Sequence, residues 1–152
     1  MTMTSKKKKI AIVWRGDREA RDEATLETGR FSGIADALAK VGIASAAVVY
    51  DETFADEVRE SLLSVDGVLV FVNPIDSGRD RTQIDRMLRE VAREGILVSA
   101  HPDVILKMGT KQVLFETREM GWRCDTHLYT TVEGFRDAFP WRLTEGKARV
   151  LK

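Results

Sequence analysis

The stretch His101-Pro102-Asp103-Val104-Ile105-Leu106-Lys107-Met108-Gly109-Thr110-Lys111 divides the chain into two differently patterned parts. It follows the apolar run Ile96-Leu97-Val98 and leads into Val113-Leu114-Phe115, whose continuation to Met120 keeps a helical spacing. Upstream, apolar runs of strand length alternate with amphipathic stretches of helix length. Downstream that alternation stops, and a shorter segment closes on Ala148-Arg149-Val150-Leu151-Lys152.

The first upstream run, Ile10-Ala11-Ile12-Val13-Trp14, is apolar throughout, as a strand covered on both faces of a parallel sheet must be. Arg15-Gly16-Asp17 breaks it. The charged residues 18–30 lack an apolar stripe and read as a loop over the surface. Phe31, Ile34, Ala35 and Leu38 then recur at helical spacing up to Gly42. Residues 43–50 form the second predicted strand. Thr53 with Asp56 resembles a capping box, opening a helix that buries Phe54, Val58 and Leu62. Residues 68–72 make the third strand, and 73–80 a polar loop. Asp80 caps a helix with inner face Ile84, Met87, Leu88 and Val91, closed by Gly95 before a fourth strand at 96–99. Such alternation predicts an α/β fold over residues 10–108, a doubly wound, mainly parallel sheet with right-handed crossovers.

If the strand order is 2-1-3-4, the crevice at the carboxyl ends of strands one and three is the expected ligand site. The loops there supply Arg15, Gly16, Asp17, Asn73, Ser77 and Arg79, and His101 follows the fourth strand at the same edge. These residues suit an anionic or hydroxylated substrate. The competing reading is plain solvated loop, and for His101 a hydrogen bond that holds the turn before Pro102.

Past Lys111 the pattern predicts a partial, small α+β segment. Thr110 caps a helix over 111–120, ended by Gly121. Residues 125–130 read as extended chain or a short edge strand. Thr131 opens a helix that stops before Pro140. Residues 148–152 read as a strand whose open edge needs cover.

Composition narrows the function classes. Hydrophobic residues at 43% and charged residues at 32% are those of an ordinary soluble globular protein. Bases and acids both number 24, and the Lys6–Lys9 run reads as part of a solvated, disordered leader over residues 1–9. Without those four lysines the balance is about −4, which points away from nucleic-acid partners. One cysteine excludes an internal disulfide and fits a reducing, cytoplasmic setting. No apolar run is long enough for a membrane span or a signal-peptide core.

The chemical signals are sparse. The dinucleotide fingerprint and the Walker loop are absent, and Asn73 at the end of the third strand replaces the aspartate a phosphate receiver needs. Cys124, Asp125 and His127 are close in sequence, but spacing alone does not make their side chains converge on a nucleophile. Two histidines are too few for a histidine-based metal site. Trp14, Trp122 and Trp141 read as packing residues. No catalytic residue is assigned.

Two features together carry a resemblance. One is Met108-Gly109-Thr110-Lys111 opening a helix; the other is Val150-Leu151-Lys152 ending a strand about forty residues on, with Thr126, Leu128 and Tyr129 between. In this arrangement the chain resembles the N-terminal part of ATP-grasp proteins of the D-alanine–D-alanine ligase and glutathione synthetase type, in an uncharacterised branch. The resemblance implies a Rossmann-like preceding domain at 10–108 and the start of an ATP-grasp domain at 109–152. It implies that Lys111 and Lys152 contact ATP, and that a complete relative phosphorylates a substrate carboxylate for attack by an amine or similar nucleophile. The glycine-rich loop, central sheet and Mg²⁺-binding acids of the family have no counterpart before Lys152. The chain is therefore expected to be inactive alone, a truncated or split piece. A nucleotide and a small-molecule carboxylate are the expected partners, and a homodimer is compatible. The contrasting expectation is a non-catalytic α/β binding or interaction module.

Overall fold

A computed structural model describes residues 7–73, 78–108, 111–121, 125–146 and 148–149, apart from the side chains of Leu106 and Met108. The chain divides into two compact units, Met1–Pro102 and Asp103–Lys152.

The first unit is built on four parallel strands: β1 (Lys9–Arg15), β2 (Ala44–Tyr50), β3 (Gly67–Val70) and β4 (Leu97–Ser99). Their order is β2-β1-β3-β4, as the 2-1-3-4 expectation had it. β1 lies between two neighbours, and Ala11, Ile12 and Val13 are fully buried, which is why that run carries no polar residue. In register, Val13 stands beside Val48 and Val70, and Arg15 beside Tyr50. The crossovers carry helices α1 (Arg18–Asp22), α2 (Ser32–Lys40), α3 (Ala55–Leu63) and α4 (Thr82–Arg93). Phe54, Val58 and Leu62 beside α4's Ile84, Leu88 and Val91 form one core with Val13, Val68 and Val98. Trp14 meets Phe31, which meets Phe71, at centroid distances of 5.1 and 4.8 Å. Trp14 is thus a packing residue, as its sequence position suggests.

Three local expectations are corrected. The charged stretch at 18–30 starts with helix α1, which buries no residue. It is held by charge instead: Arg18 and Arg21 both pair with Glu57, and their guanidinium groups lie 4.8 and 4.9 Å from the Phe54 ring centroid. The turn before α3 is capped by Asp51 rather than Thr53. Asp51 Oδ1 accepts both the backbone N–H and the hydroxyl of Thr53, at 3.1 and 2.9 Å, and a 3-10 turn over Glu52–Phe54 leads into the helix. An ionised carboxylate outcompetes a hydroxyl as acceptor. The basic leader is also shorter: Lys9 already belongs to β1, its N–H and the Lys8 ammonium both bound by Asp66 at 2.9 and 2.8 Å. Residues 1–6 lie outside the described residues. The N-cap position of α4 is Arg81 rather than Asp80, but Asp80, one residue earlier, accepts the Thr82 N–H at 2.8 Å.

The second unit contains α5 (Pro102–Met108, whose first residue closes the first unit), α6 (Gln112–Glu116) and α7 (Val132–Leu143). Pro102 at the first position of α5 sits where a missing N–H costs nothing. α6 is shorter than the predicted 111–120 helix. The Thr117 hydroxyl and the Arg118 guanidinium donate to the Val113 and Phe115 carbonyls, at 2.7 Å each, and the chain turns to Gly121 at φ +87. Thr110 lies outside the described residues.

Thr131 caps α7 as predicted, accepting the Gly134 N–H at 3.0 Å, but the helix runs through Pro140 to Leu143. Stacking of Phe135 on Phe139 (4.8 Å) and the anchoring of Arg142 on Tyr129 (3.1 Å) hold the turns on either side of the proline. Residues 125–129 belong to no helix or strand, and among the described residues of this unit no strand occurs. Ala148 and Arg149 join no ladder; residues 150–152 lie outside the described residues. Trp141 is 76% exposed, so it is not the packing residue its type suggested; Trp122 lies outside the described residues. Among the described residues no helix is long and apolar enough to cross a membrane.

Candidate functional site

At the carboxyl edge of the sheet the polar loop residues are bound to one another. Arg15 follows Trp14 out of β1, and its side chain is only 3% exposed. It donates to both Glu52 carboxylate oxygens at 2.6 and 2.8 Å, and to the Asp80 carbonyl at 2.9 Å. Arg79 donates to Asp51 Oδ2 at 2.5 Å and lies 3.6 Å from Glu52. The Thr53 N–H holds the Asp51 carboxyl below its ordinary range, helped by the Thr53 hydroxyl and Arg79 and opposed by burial. Among the described residues, Arg15 Nε and the Tyr50 hydroxyl are buried without a hydrogen-bond partner.

The candidate substrate residues therefore separate by role. Arg15 clasps two loops, and Asp17 caps α1 by accepting the Ala20 N–H at 2.9 Å. Asn73 is exposed, Arg79 keeps nearly half its side chain in solvent, and His101 is half-buried and engaged in an interaction. Ser77 lies outside the described residues. Gly16 is a packing position: a Cβ there would stand 2.8 Å from Val49 Cγ1 and 3.0 Å from Ala20 Cβ. Gly16→Ala is expected to lower stability by about 1–2 kcal/mol through overpacking. Urea unfolding measures it, and an unchanged midpoint would remove the packing role.

The larger concavity lies wholly within the second unit. It is a cleft of about 1150 Å³, lined by the aromatic rings of Phe115, Tyr129, Phe135 and Phe139 and by Lys111, Arg142 and Arg149. Lys111 immediately precedes α6 and is exposed. Tyr129 meets Phe135 edge-on at 5.3 Å. Asp125, His127 and Tyr129, in the segment before α7, all line this cleft. His127 Nε2 lies 2.9 Å from Asp125 Oδ1 and 2.7 Å from Arg142 Nη1. Arg149 donates to Asp125 and, at 2.7 Å, to Glu145. The Arg149 hydrogen bond, with the lesser help of His127 and against burial, holds the Asp125 carboxyl below its ordinary range. Among the described residues, Thr126 Oγ1 and Arg149 Nε are buried without a hydrogen-bond partner.

Of the two lysines singled out in the sequence, Lys111 lies on the wall of this cleft and Lys152 lies outside the described residues. Asp125 and His127, which spacing gave no reason to bring together, do meet; Cys124 lies outside the described residues. Arg142, Arg149 and the ring set were not anticipated. The closeness of Asp125, His127 and Tyr129 in sequence is the signal that could have pointed to them. Comparison with known protein families, with curated proteins and with solved structures found no match.

Proposed function

We propose that this chain is the N-terminal portion of an ATP-grasp ligase-like protein, with the nucleotide taken by the cleft that Lys111 lines. The observation that carries the reading is the company Lys111 keeps: four aromatic rings and two guanidinium groups around a space of about 1150 Å³. Rings accept a base by stacking, and cations neutralise phosphate. The resemblance adds Lys152 as the second phosphate contact. A full-length relative would use ATP and Mg²⁺ to activate a small-molecule carboxylate for an amine or similar nucleophile. Among the described residues no group of three or more His, Cys, Asp or Glu could hold a metal, so no step through Mg²⁺ is assigned to them. This chain's own part is to bind and orient the nucleotide, and on this reading it is not catalytically complete alone. The cytoplasm is the compartment that fits this substrate and the single cysteine.

Calorimetric titration with ATP and Mg²⁺ tests the reading. The wild-type protein is expected to bind, and Lys111→Ala with Lys152→Ala to weaken binding at least about tenfold, the worth of one charge-assisted hydrogen bond. Equal affinity in both proteins would refute it. The second reading, a non-catalytic interaction module, is favoured by Trp141, Leu143 and Val132 of α7, which are 76%, 52% and 59% exposed. No nucleotide binding together with a stable dimer would select it.

A further inference from the structure

One ring nitrogen in the cleft has two neighbours that it cannot serve at once. His127 Nε2 is 2.9 Å from Asp125 Oδ1, which only accepts, and 2.7 Å from Arg142 Nη1, which only donates. With a proton on Nε2 the ring donates to Asp125 and presents N–H to N–H toward Arg142. Without it the lone pair accepts from Arg142 and faces a carboxylate. We infer that His127 is a proton-controlled latch on Arg142, which it holds in the neutral state and releases to an anionic ligand in the cleft when it becomes imidazolium.

The surroundings set the direction. Asp125 is served in either state, because Arg149 binds its other oxygen and half of its side chain is in solvent. Arg142 has a second anchor, Nε to the Tyr129 hydroxyl at 3.1 Å, which keeps the guanidinium at the cleft when Nη1 loses the ring nitrogen. The neutral ring therefore keeps its lone pair for Arg142, and the imidazolium turns its proton to Asp125 and repels the guanidinium. Among the described residues, the charged or titratable groups around this pair and on the cleft wall are Asp125 and Tyr129 on the ring's own segment, Arg142 of α7, Glu145 beyond it, Arg149, and Lys111 before α6. A guanidinium freed in an aromatic cleft suits a doubly charged oxyanion. The inference rests on the nucleotide reading only in taking this cleft as the ligand site.

Sulfate is the probe, because its charge stays constant across the range in which imidazole titrates. Its affinity for the full chain is to be measured at about pH 8 and about pH 5.5, with Arg142→Gln and His127→Gln beside the wild type and circular dichroism confirming the fold at both. The wild type is expected to bind about tenfold tighter in acid, the worth of one added charge-assisted hydrogen bond. Both variants are expected to lose that advantage. In ¹⁵N spectra of the imidazole, Nε2 of the wild type is expected to be unprotonated at the higher pH. An equal acid enhancement in Arg142→Gln, an acid enhancement surviving in His127→Gln, or no sulfate binding at either pH would overturn the latch. These results do not depend on ATP: a latch that works while the double lysine substitution leaves ATP affinity untouched would sink the nucleotide reading alone.

Discussion

Arg81→Ala is expected to destabilise the protein by about 3–5 kcal/mol, the cost of leaving a buried charge without its partner. Arg81 is 5% exposed and Asp85, one helical turn on, is 7% exposed. Arg81 Nε and Nη2 donate to Asp85 Oδ1 at 2.9 and 2.8 Å, and Nη1 donates to the Val72 carbonyl at 2.7 Å. Truncation strands a nearly buried carboxylate and a backbone oxygen together. It also frees the segment carrying Arg79 and Asp80, whose carbonyl Arg15 holds, so the carboxyl edge of the sheet loosens with it. Urea unfolding of Arg81→Ala gives the loss directly. The pair Arg81→Met with Asp85→Leu is expected to recover most of it, because a buried ion pair replaced by apolar groups of similar volume is close to neutral. A loss below about 1 kcal/mol in the single variant would mean that water reaches Asp85 after all.

Tyr50 makes the second large prediction, in alkali. It is fully buried beside the Arg15 guanidinium, and among the described residues its hydroxyl has no hydrogen-bond partner. Burial pushes the phenol up from 10.0 to about 12; Glu52 adds to the rise and Arg15 opposes it. Below pH 10 both the folded and the unfolded chain keep this proton, and stability is unaffected by it. Between pH 10 and about 12 the unfolded chain releases the proton and the folded chain retains it, so the unfolded state binds fewer protons and stability falls as pH rises. The full loss is about 2–3 kcal/mol, two pKa units at about 1.4 kcal/mol each. Tyr50→Phe removes the titrating group and the unsatisfied hydroxyl together. At neutral pH it is expected to match the wild type or exceed it by up to about 1 kcal/mol. Its loss between pH 8 and pH 11.5 is expected to be smaller by about 2 kcal/mol, most of the full effect. Urea midpoints of both proteins at pH 8 and pH 11.5 decide it, and parallel alkaline losses would assign the effect elsewhere.

The scaffold of the first unit is written in the order of its residues. Ile10 to Trp14 had to be a covered strand, because no polar group interrupts it. Phe54, Val58 and Leu62, like Ile84, Leu88 and Val91, had to lie on one helical face, because only that period brings them together. Burial of this kind leaves its mark on neighbouring positions; the strand order does not, and only the folded sheet gave it.

The roles of the polar residues came from the folded arrangement alone. Arg15 looked like an open anion contact, yet it is shut by Glu52, 37 residues away, and by Asp80, 65 residues away. Helix α1 has no apolar stripe to announce it, because Glu57 and the Phe54 ring of another segment hold its arginines. Pro140 sits inside a helix because contacts on both sides outweigh the hydrogen bond it removes. In the second unit, Asp125, His127 and Tyr129 lie close together in sequence, but the arginines that complete the cleft arrive from α7 and from beyond it. A charge pairs with whatever opposite charge the fold brings within about 4 Å, and sequence separation carries no record of that distance.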